Sequence, residues 1–175
     1  VAQVIATRVK LGQVIKGSHS ILANPLNGIF KIAGDINNLS PKTLQLMGNA
    51  KLSIDGGTIA VNNIQLISGL YKAQLQFDHV PLQELVEEVP KQFWGRILGK
   101  LSIAGSLAPF KFIDTQASGE GRLNLASGIV IAQNIQLNNG RYKAAVTATG
   151  ISAEEFNEQM RGEMDGKFQV TGIVD

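Results

Sequence analysis

Asn63-Ile64-Gln65-Leu66, followed by Gly69 and Tyr71-Lys72-Ala73, returns as Asn134-Ile135-Gln136-Leu137, Gly140 and Tyr142-Lys143-Ala144. The offset, from Asn63 to Asn134, is 71 residues, and it extends in both directions. Gly48 falls on Gly119, Lys51 on Arg122, Leu52 on Leu123, Ile54 on Leu125 and Gly57 on Gly128. Upstream, Gly28-Ile29-Phe30-Lys31-Ile32-Ala33-Gly34 falls on Gly99-Lys100-Leu101-Ser102-Ile103-Ala104-Gly105. A third copy, Gly166-Lys167-Phe168-Gln169-Val170-Thr171-Gly172, lies 67 residues beyond Gly99. An offset of 71 residues, shortened to 67 where the last unit lacks four residues, marks a repeat architecture. It divides the sequence into a partial unit 1–36, a unit 37–107 and a unit 108–175. Val1 opens in mid-pattern, so the native chain is expected to start upstream, as a piece of a longer repetitive protein.

Each unit reads mainly as strand. Lys51-Leu52-Ser53-Ile54-Asp55, Tyr71 to Asp78 and Arg122-Leu123-Asn124-Leu125 alternate apolar and polar residues, which gives each strand one buried and one wet face. Asp55-Gly56-Gly57, Ser68-Gly69, Ser127-Gly128 and above all Asn139-Gly140 are turn signals, the last a type I′ hairpin signal. Leu44, Leu46, Gly48, Ala50, Leu52 and Ile54 keep a single phase, which predicts one strand of roughly 40 Å. One short helix is expected per unit. Leu82, Leu85, Val86, Val89 and Phe93 follow helical spacing behind Pro81, and Ser152-Ala153-Glu154-Glu155 forms a capping box ahead of Phe156 and Met160. Leu11, Val14 and Ile15, with Gly17 as a stop, occupy the corresponding place in the first unit.

Composition narrows the function classes. Of the 175 residues 44% are hydrophobic and 17% charged, which excludes a disordered charged tail. A net charge of +2, with no run of five like charges, argues against a nucleic-acid partner. With no cysteine there is no thiol nucleophile, zinc ribbon or disulfide framework. His19 and His79 are not at equivalent repeat positions, so a catalytic or metal role is not expected of them. Glu84, Glu87 and Glu88, like Glu154, Glu155 and Glu158, lie opposite apolar helix faces and read as solvated surface. Asp55-Gly56-Gly57 lacks the ligand ladder of a calcium loop, and Gly119-Glu120-Gly121-Arg122 leads into a strand, unlike a dinucleotide fingerprint. Phe93 and Trp94 are expected to pack the helix end. No catalytic residue, cofactor or metal ligand is assigned, and the chain is not read as an enzyme.

Val80-Pro81-Leu82-Gln83-Glu84-Leu85 followed by Gly99-Lys100-Leu101-Ser102-Ile103-Ala104-Gly105, with their copies, resembles the repeats of the TamB family and the wider AsmA-like superfamily. The abundance of Asn, Gln and Ile is similar to the cyanobacterial members and their chloroplast-envelope relative. The resemblance covers the whole chain. It implies a large envelope protein with an inner-membrane anchor outside this segment and a β-rich body crossing the periplasm of a Gram-negative-type bacterium. The fold it implies is a curled sheet, the β-taco, with an apolar concave face. It further implies phospholipid transport between membranes and outer-membrane protein assembly or translocation beside an Omp85-type partner, with no catalytic residues to carry over.

The residues themselves point to a groove. Its expected lining is Leu52, Ile54, Ile64, Leu66, Tyr71, Leu75, Phe77, Leu101 and Ile103, then Leu123, Leu125, Ile135, Leu137, Tyr142, Val146, Phe168 and Val170. None is charged, whereas Lys72, Gln74, Gln76, Asp78, Lys100, Arg122 and Lys143 fall on the other face. Something must cover the dry side. Phospholipid acyl chains would make it a conduit, whereas an opposite wall of the same chain would make it the self-filled core of a structural scaffold or surface stalk. An open sheet also leaves its edge strands unpaired, so an edge-to-edge dimer of the isolated segment is expected.

Overall fold

The computed structural model describes residues 2–10, 24–34, 40–86, 88–107, 111–155 and 159–174. Ten antiparallel strands follow one another in a single meander: β1 Ala2–Lys10, β2 Pro25–Ala33, β3 Gln45–Ile54, β4 Gly57–Ile67, β5 Leu70–Pro81, β6 Gly95–Ser106, β7 Gln116–Leu125, β8 Ile129–Asn138, β9 Arg141–Ser152 and β10 Glu163–Ile173. Every strand pairs with its sequence neighbours, and β1 does not meet β10, so the protein is all-β and its curled sheet is open. At about 4.8 Å per strand the sheet is roughly 45 Å across. Strands β3–β6 fall within 37–107 and β7–β10 within 108–175, four strands to the unit.

Local chemistry sets the turns. Asp55-Gly56, Ser68-Gly69 and Asn139-Gly140 each place both central residues at positive φ (39° and 76°, 52° and 80°, 49° and 69°), the type I′ geometry that matches strand twist. The predicted strand from Leu44 is shorter than its pattern. Thr43 and Leu44 donate their backbone N–H groups to the Ser40 carbonyl, and the Ser40 N–H donates to Thr43 Oγ1, so a turn is closed there and β3 starts at Gln45.

The helices are the main departure from expectation. Among the described residues only Leu82–Leu85 forms an α-helix, α1, of a single turn; Val86 returns to extended backbone (φ −126°, ψ 130°) and Pro90 precedes a separate 3₁₀ turn at Lys91–Phe93. Proline at 90 disfavours helical backbone at Val89, which cuts the apolar series in two. In the last unit Ser152 still belongs to β9, and Ala153–Glu155 is a 3₁₀ turn in place of a capped helix. The first-unit series Leu11, Val14, Ile15 and Gly17 lies outside the described residues, as do His19, Phe156 and Glu158. Trp94 is 48% exposed, and its indole N–H donates to the Val89 carbonyl at 3.0 Å.

The most deeply buried cluster sits at one end of the apolar face. Leu52, Ile54, Ile59 and Val80 are buried there, flanked by Leu26, Val61, Leu75, Phe77 and, from α1, Leu85. In a single layer, side chains become this inaccessible only where neighbours on the same face close over them, so the sheet curls toward its apolar side at this end.

Candidate functional site

Opposed residues of an antiparallel ladder share a face, so the register assigns a side to every predicted groove residue. Leu52 faces Leu26 and Ile59; Ile64 faces Gly48; Leu66 faces Leu46 and Tyr71. Phe77 faces Ile59 and Gly99, Leu75 faces Val61 and Leu101, and Ile103 faces Ala73 and Ala117. Leu123 faces Ile97 and Val130, Leu125 faces Gly95, Ile135 faces Gly119, and Leu137 faces Ala117 and Tyr142. Val146 faces Ala132 and Phe168, Val170 faces Ala144, and Ile54 faces Gly57. All of these residues therefore lie on one side of one sheet. From β2 to β9 no charged residue stands on that side in the described register.

The face keeps its phase because bulges correct it. Arg8, His79 and Gly150, at successive offsets of 71, have positive φ (52°, 52° and 65°), as do the equivalent Asn63 and Asn134 (53° and 54°). The ladder slips at each of these places. Beyond each slip the apolar set changes parity, from Ile59 and Val61 to Ile64 and Leu66, and from Tyr71, Leu75 and Phe77 to Val80. Sequence reasoning missed Ile59, Val61, Val80 and Val130 on this face for that reason, and missed Ile97 although it is in phase with Leu101 and Ile103. The change of parity is itself the signal that marks a bulge.

Burial falls off across the sheet. Leu52, Ile54 and Leu66 are buried, the groove residues of β6 to β8 are half-buried, and Tyr142, Val170 and Phe168 are exposed, the last at 56%. A cleft of about 540 Å³ lies on this side where β7–β10 approach the Lys91–Phe93 turn, lined by Phe93, Leu125, Val146, Ile151, Met164 and Phe168. The accessible surface totals 11569 Å². A compact monomer of 18.7 kDa would expose about 8,300 Å². The total exceeds this by about 3,300 Å², in keeping with an open sheet.

Aromatic side chains lie against this face at repeated positions. The Tyr71 ring covers Gly105 across the β5–β6 pair, and the Tyr142 ring covers Gly172 across β9–β10. The Tyr71 hydroxyl shares a hydrogen bond with Thr115 Oγ1 at 2.9 Å, which satisfies a buried threonine.

The other face carries Lys72, Gln74, Gln76, Asp78, Lys100, Arg122 and Lys143, together with Lys31, Glu120 and several exposed apolar residues such as Ile29 and Met47. It is hollowed too. Adjoining depressions of about 600 and 590 Å³ cross β4–β8, with Gln74, Ser102 and Ser118 common to both. A strongly twisted sheet is saddle-shaped and presents a hollow on each side, which alternation alone does not reveal. His79 and Asp78 pair on this exposed side at 2.7 Å, and Arg161 pairs with Glu154. Among the described residues no group of three or more His, Asp or Glu is placed to hold a metal ion, and no helix is long and apolar enough to cross a membrane.

The fold and face define an open, single-layer β-meander built from a four-strand repeat, dry on one side and polar on the other. No family model, curated protein or solved structure matches the chain.

Proposed function

We propose that the chain is a segment of an envelope-spanning protein of the TamB kind, whose apolar face shelters phospholipid acyl chains in transit between membranes. The observation that supports this reading is the continuity of the dry side over ten strands, with α1 covering one end alone. A lipid tail of about 15 methylenes costs on the order of 12 kcal/mol to expose to water. A continuous apolar strip offsets most of that cost, and small residues such as Ala73, Ala117, Gly119 and Ala132 leave room along it. Such a strip holds no position strongly over the next, which suits a conduit better than a storage site. Assistance to outer-membrane protein assembly beside an Omp85-type partner, a periplasmic setting and an inner-membrane anchor belong to the same proposal and rest on the resemblance in sequence. The closed cluster around Ile54 and Val80 favours the alternative, a scaffold with a self-filled core, for that end of the sheet.

The test is mass spectrometry of organic extracts from gently purified protein, with an equal-sized soluble β-protein as control. Phospholipid retained in stoichiometric amount by this chain alone supports the conduit. A folded, lipid-free chain favours the scaffold. Leu125→Glu and Ile135→Glu provide the functional arm. If both variants fold and lipid transfer by the full-length protein continues unchanged, the conduit reading is wrong.

A further inference from the structure

The side of the sheet opposite the dry face collects positive charge. In β2–β9 every Lys, Arg, Asp and Glu stands there, and only Asp78 and Glu120 among them are acidic. Asp78 is engaged by His79 at 2.7 Å, and Glu120 stands opposite Lys100. Other acids are held off the face: Asp55, Glu84, Asp114 and Glu154 lie in the connections between strands. A chain of net charge +2 thus presents a distinctly basic surface.

That surface is concave where it is richest in amides and hydroxyls. A third depression, of about 760 Å³ with Asp114 at its rim, continues the two that cross β4–β8 and shares Gln65, Lys72, Ala104 and Gln116 with the first. Asn62, Gln74, Ser102, Ser118, Gln136 and Lys143 are successive cross-strand neighbours from β4 to β9. The short serines between longer glutamines leave the middle of this row open. Gln74 accepts from Asn63 Nδ2 at 3.1 Å, whereas no side-chain hydrogen bond within the described residues engages Gln116, Ser118 or Gln136. Lys72 and Lys143 flank the row four strands apart, which is about 19 Å.

We propose that this hollow binds an acidic polysaccharide, a chain of sugars that carry carboxylates among their hydroxyls. Side-chain amides and hydroxyls both donate and accept, as sugar hydroxyls do, and lysines standing apart answer carboxylates that stand apart. Nucleic acid fits less well. Its phosphates recur about every 3.4 Å along a strand, against the ~19 Å between Lys72 and Lys143. No aromatic side chain of β2–β10 stands on this side to stack a base. A peptide strand finds no main-chain partner here, because β4 to β8 are already paired on both sides. The hollow lies in the interior of the sheet, so it depends on neither end of the chain, and it does not rest on what covers the apolar face.

Binding of a fluorescently labelled oligogalacturonate to the full chain, read by anisotropy, tests the site. Saturable binding that weakens with salt is expected, and the fully methyl-esterified oligosaccharide, which keeps the hydroxyls but not the charge, should bind about tenfold or more weaker. Lys72→Gln and Lys143→Gln should each weaken binding about three- to fivefold, whereas Lys31→Gln, on the same side but outside the hollow, should leave it within about twofold. Both kinds of variant change one exposed side chain and should fold as the parent does. On titration the side-chain amide NMR signals of Gln74, Gln116 and Gln136 should move, while those of Gln3 and Gln169 stay in place. Equal binding of the methyl ester, equal loss from Lys31→Gln and Lys72→Gln, or unmoved signals at Gln116 and Gln136 would each overturn the proposal. So would polyglutamate, single-stranded DNA or anionic vesicles bound as tightly as the oligogalacturonate, or a folded chain that binds no oligogalacturonate at low salt.

Discussion

The backbone N–H of Gly150 donates to the Asp165 carboxylate across the β9–β10 pair at 2.7 Å, and the same bond occurs between Arg8 and Asn27 Oδ1, at 3.0 Å, in the β1–β2 pair. Arg8 and Gly150 are the bulge residues of their units, and Asn27 and Asp165 stand at one repeat position. The bulge turns an N–H out of the ladder, and a short acceptor on the next strand takes it up. Replacing Asp165 by Ala removes that acceptor and should cost about 1–2 kcal/mol, whereas Asp165→Asn, which copies Asn27, should retain most of the stability. Denaturant midpoints with an unchanged m-value check this, together with faster amide exchange confined to β10 in the alanine variant.

The middle unit solves the same problem another way. Leu98 occupies the acceptor position there, and the bulge at His79 is held through its carbonyl, which accepts from Arg96 Nη1 at 2.8 Å. The same nitrogen donates to the Asp55 carbonyl at 3.1 Å, tying the β3–β4 turn to the bulge. A single planar guanidinium spans two carbonyls, which a lysine ammonium at that range does less well. Arg96→Lys should lose about 1 kcal/mol and Arg96→Ala slightly more. Restoring an acceptor with Leu98→Asn in the Arg96→Ala background should recover part of the loss, an outcome that equilibrium unfolding can decide.

Tyr71 and Tyr142 occupy equivalent positions but differ in what their hydroxyls do. Tyr71 shares its bond with Thr115, whose exposure is 8%, so Tyr71→Phe strands a buried threonine oxygen and should destabilise by about 1–2 kcal/mol. Tyr142 is 39% exposed, and Tyr142→Phe should lie within about 0.5 kcal/mol of the parent. Paired urea titrations of the two variants measure the difference. Equally small effects would mean that the Tyr71–Thr115 hydrogen bond adds no net stability.

Much of this architecture is legible in the residues, for a physical reason. Alternation such as Leu123-Asn124-Leu125 and turn pairs such as Asn139-Gly140 act over a few residues, and the 71-residue offset shows that each local signal recurs in the same context. Periodic spacing from Leu82 to Phe93 overstates the helix, because Pro90 breaks the series and Val86 returns to extended backbone. On the candidate face, residues in an unbroken run, such as Leu101 and Ile103, can be assigned from phase alone. Ile59 and Val61 cannot, because the bulge at Asn63 lies between them and Leu66. The hollow beside Gln74 and Ser118 depends on twist accumulated over several strands, which no short window of sequence contains.

Unequal burial across the dry face predicts unequal stability along the meander. Ile54 is 1% exposed beneath the α1 end, and truncation to Ala leaves a cavity that the neighbouring Leu52, Ile59 and Val80 cannot readily fill; the cost should be about 3 kcal/mol. Val170, 40% exposed on the edge strand, has few neighbours to lose, and Val170→Ala should cost less than about 1 kcal/mol. Native-state hydrogen exchange should accordingly show β3–β5 opening only with the whole protein, while β9 and β10 open at lower free energy. Ile54→Ala should lower protection throughout, since it weakens the part that unfolds last, whereas Val170→Ala should be felt in β9 and β10 alone. Uniform protection from β3 to β10 would mean that the dry face near Phe168 is covered in solution, and would place an occupant on the surface where burial by the chain's own residues is least.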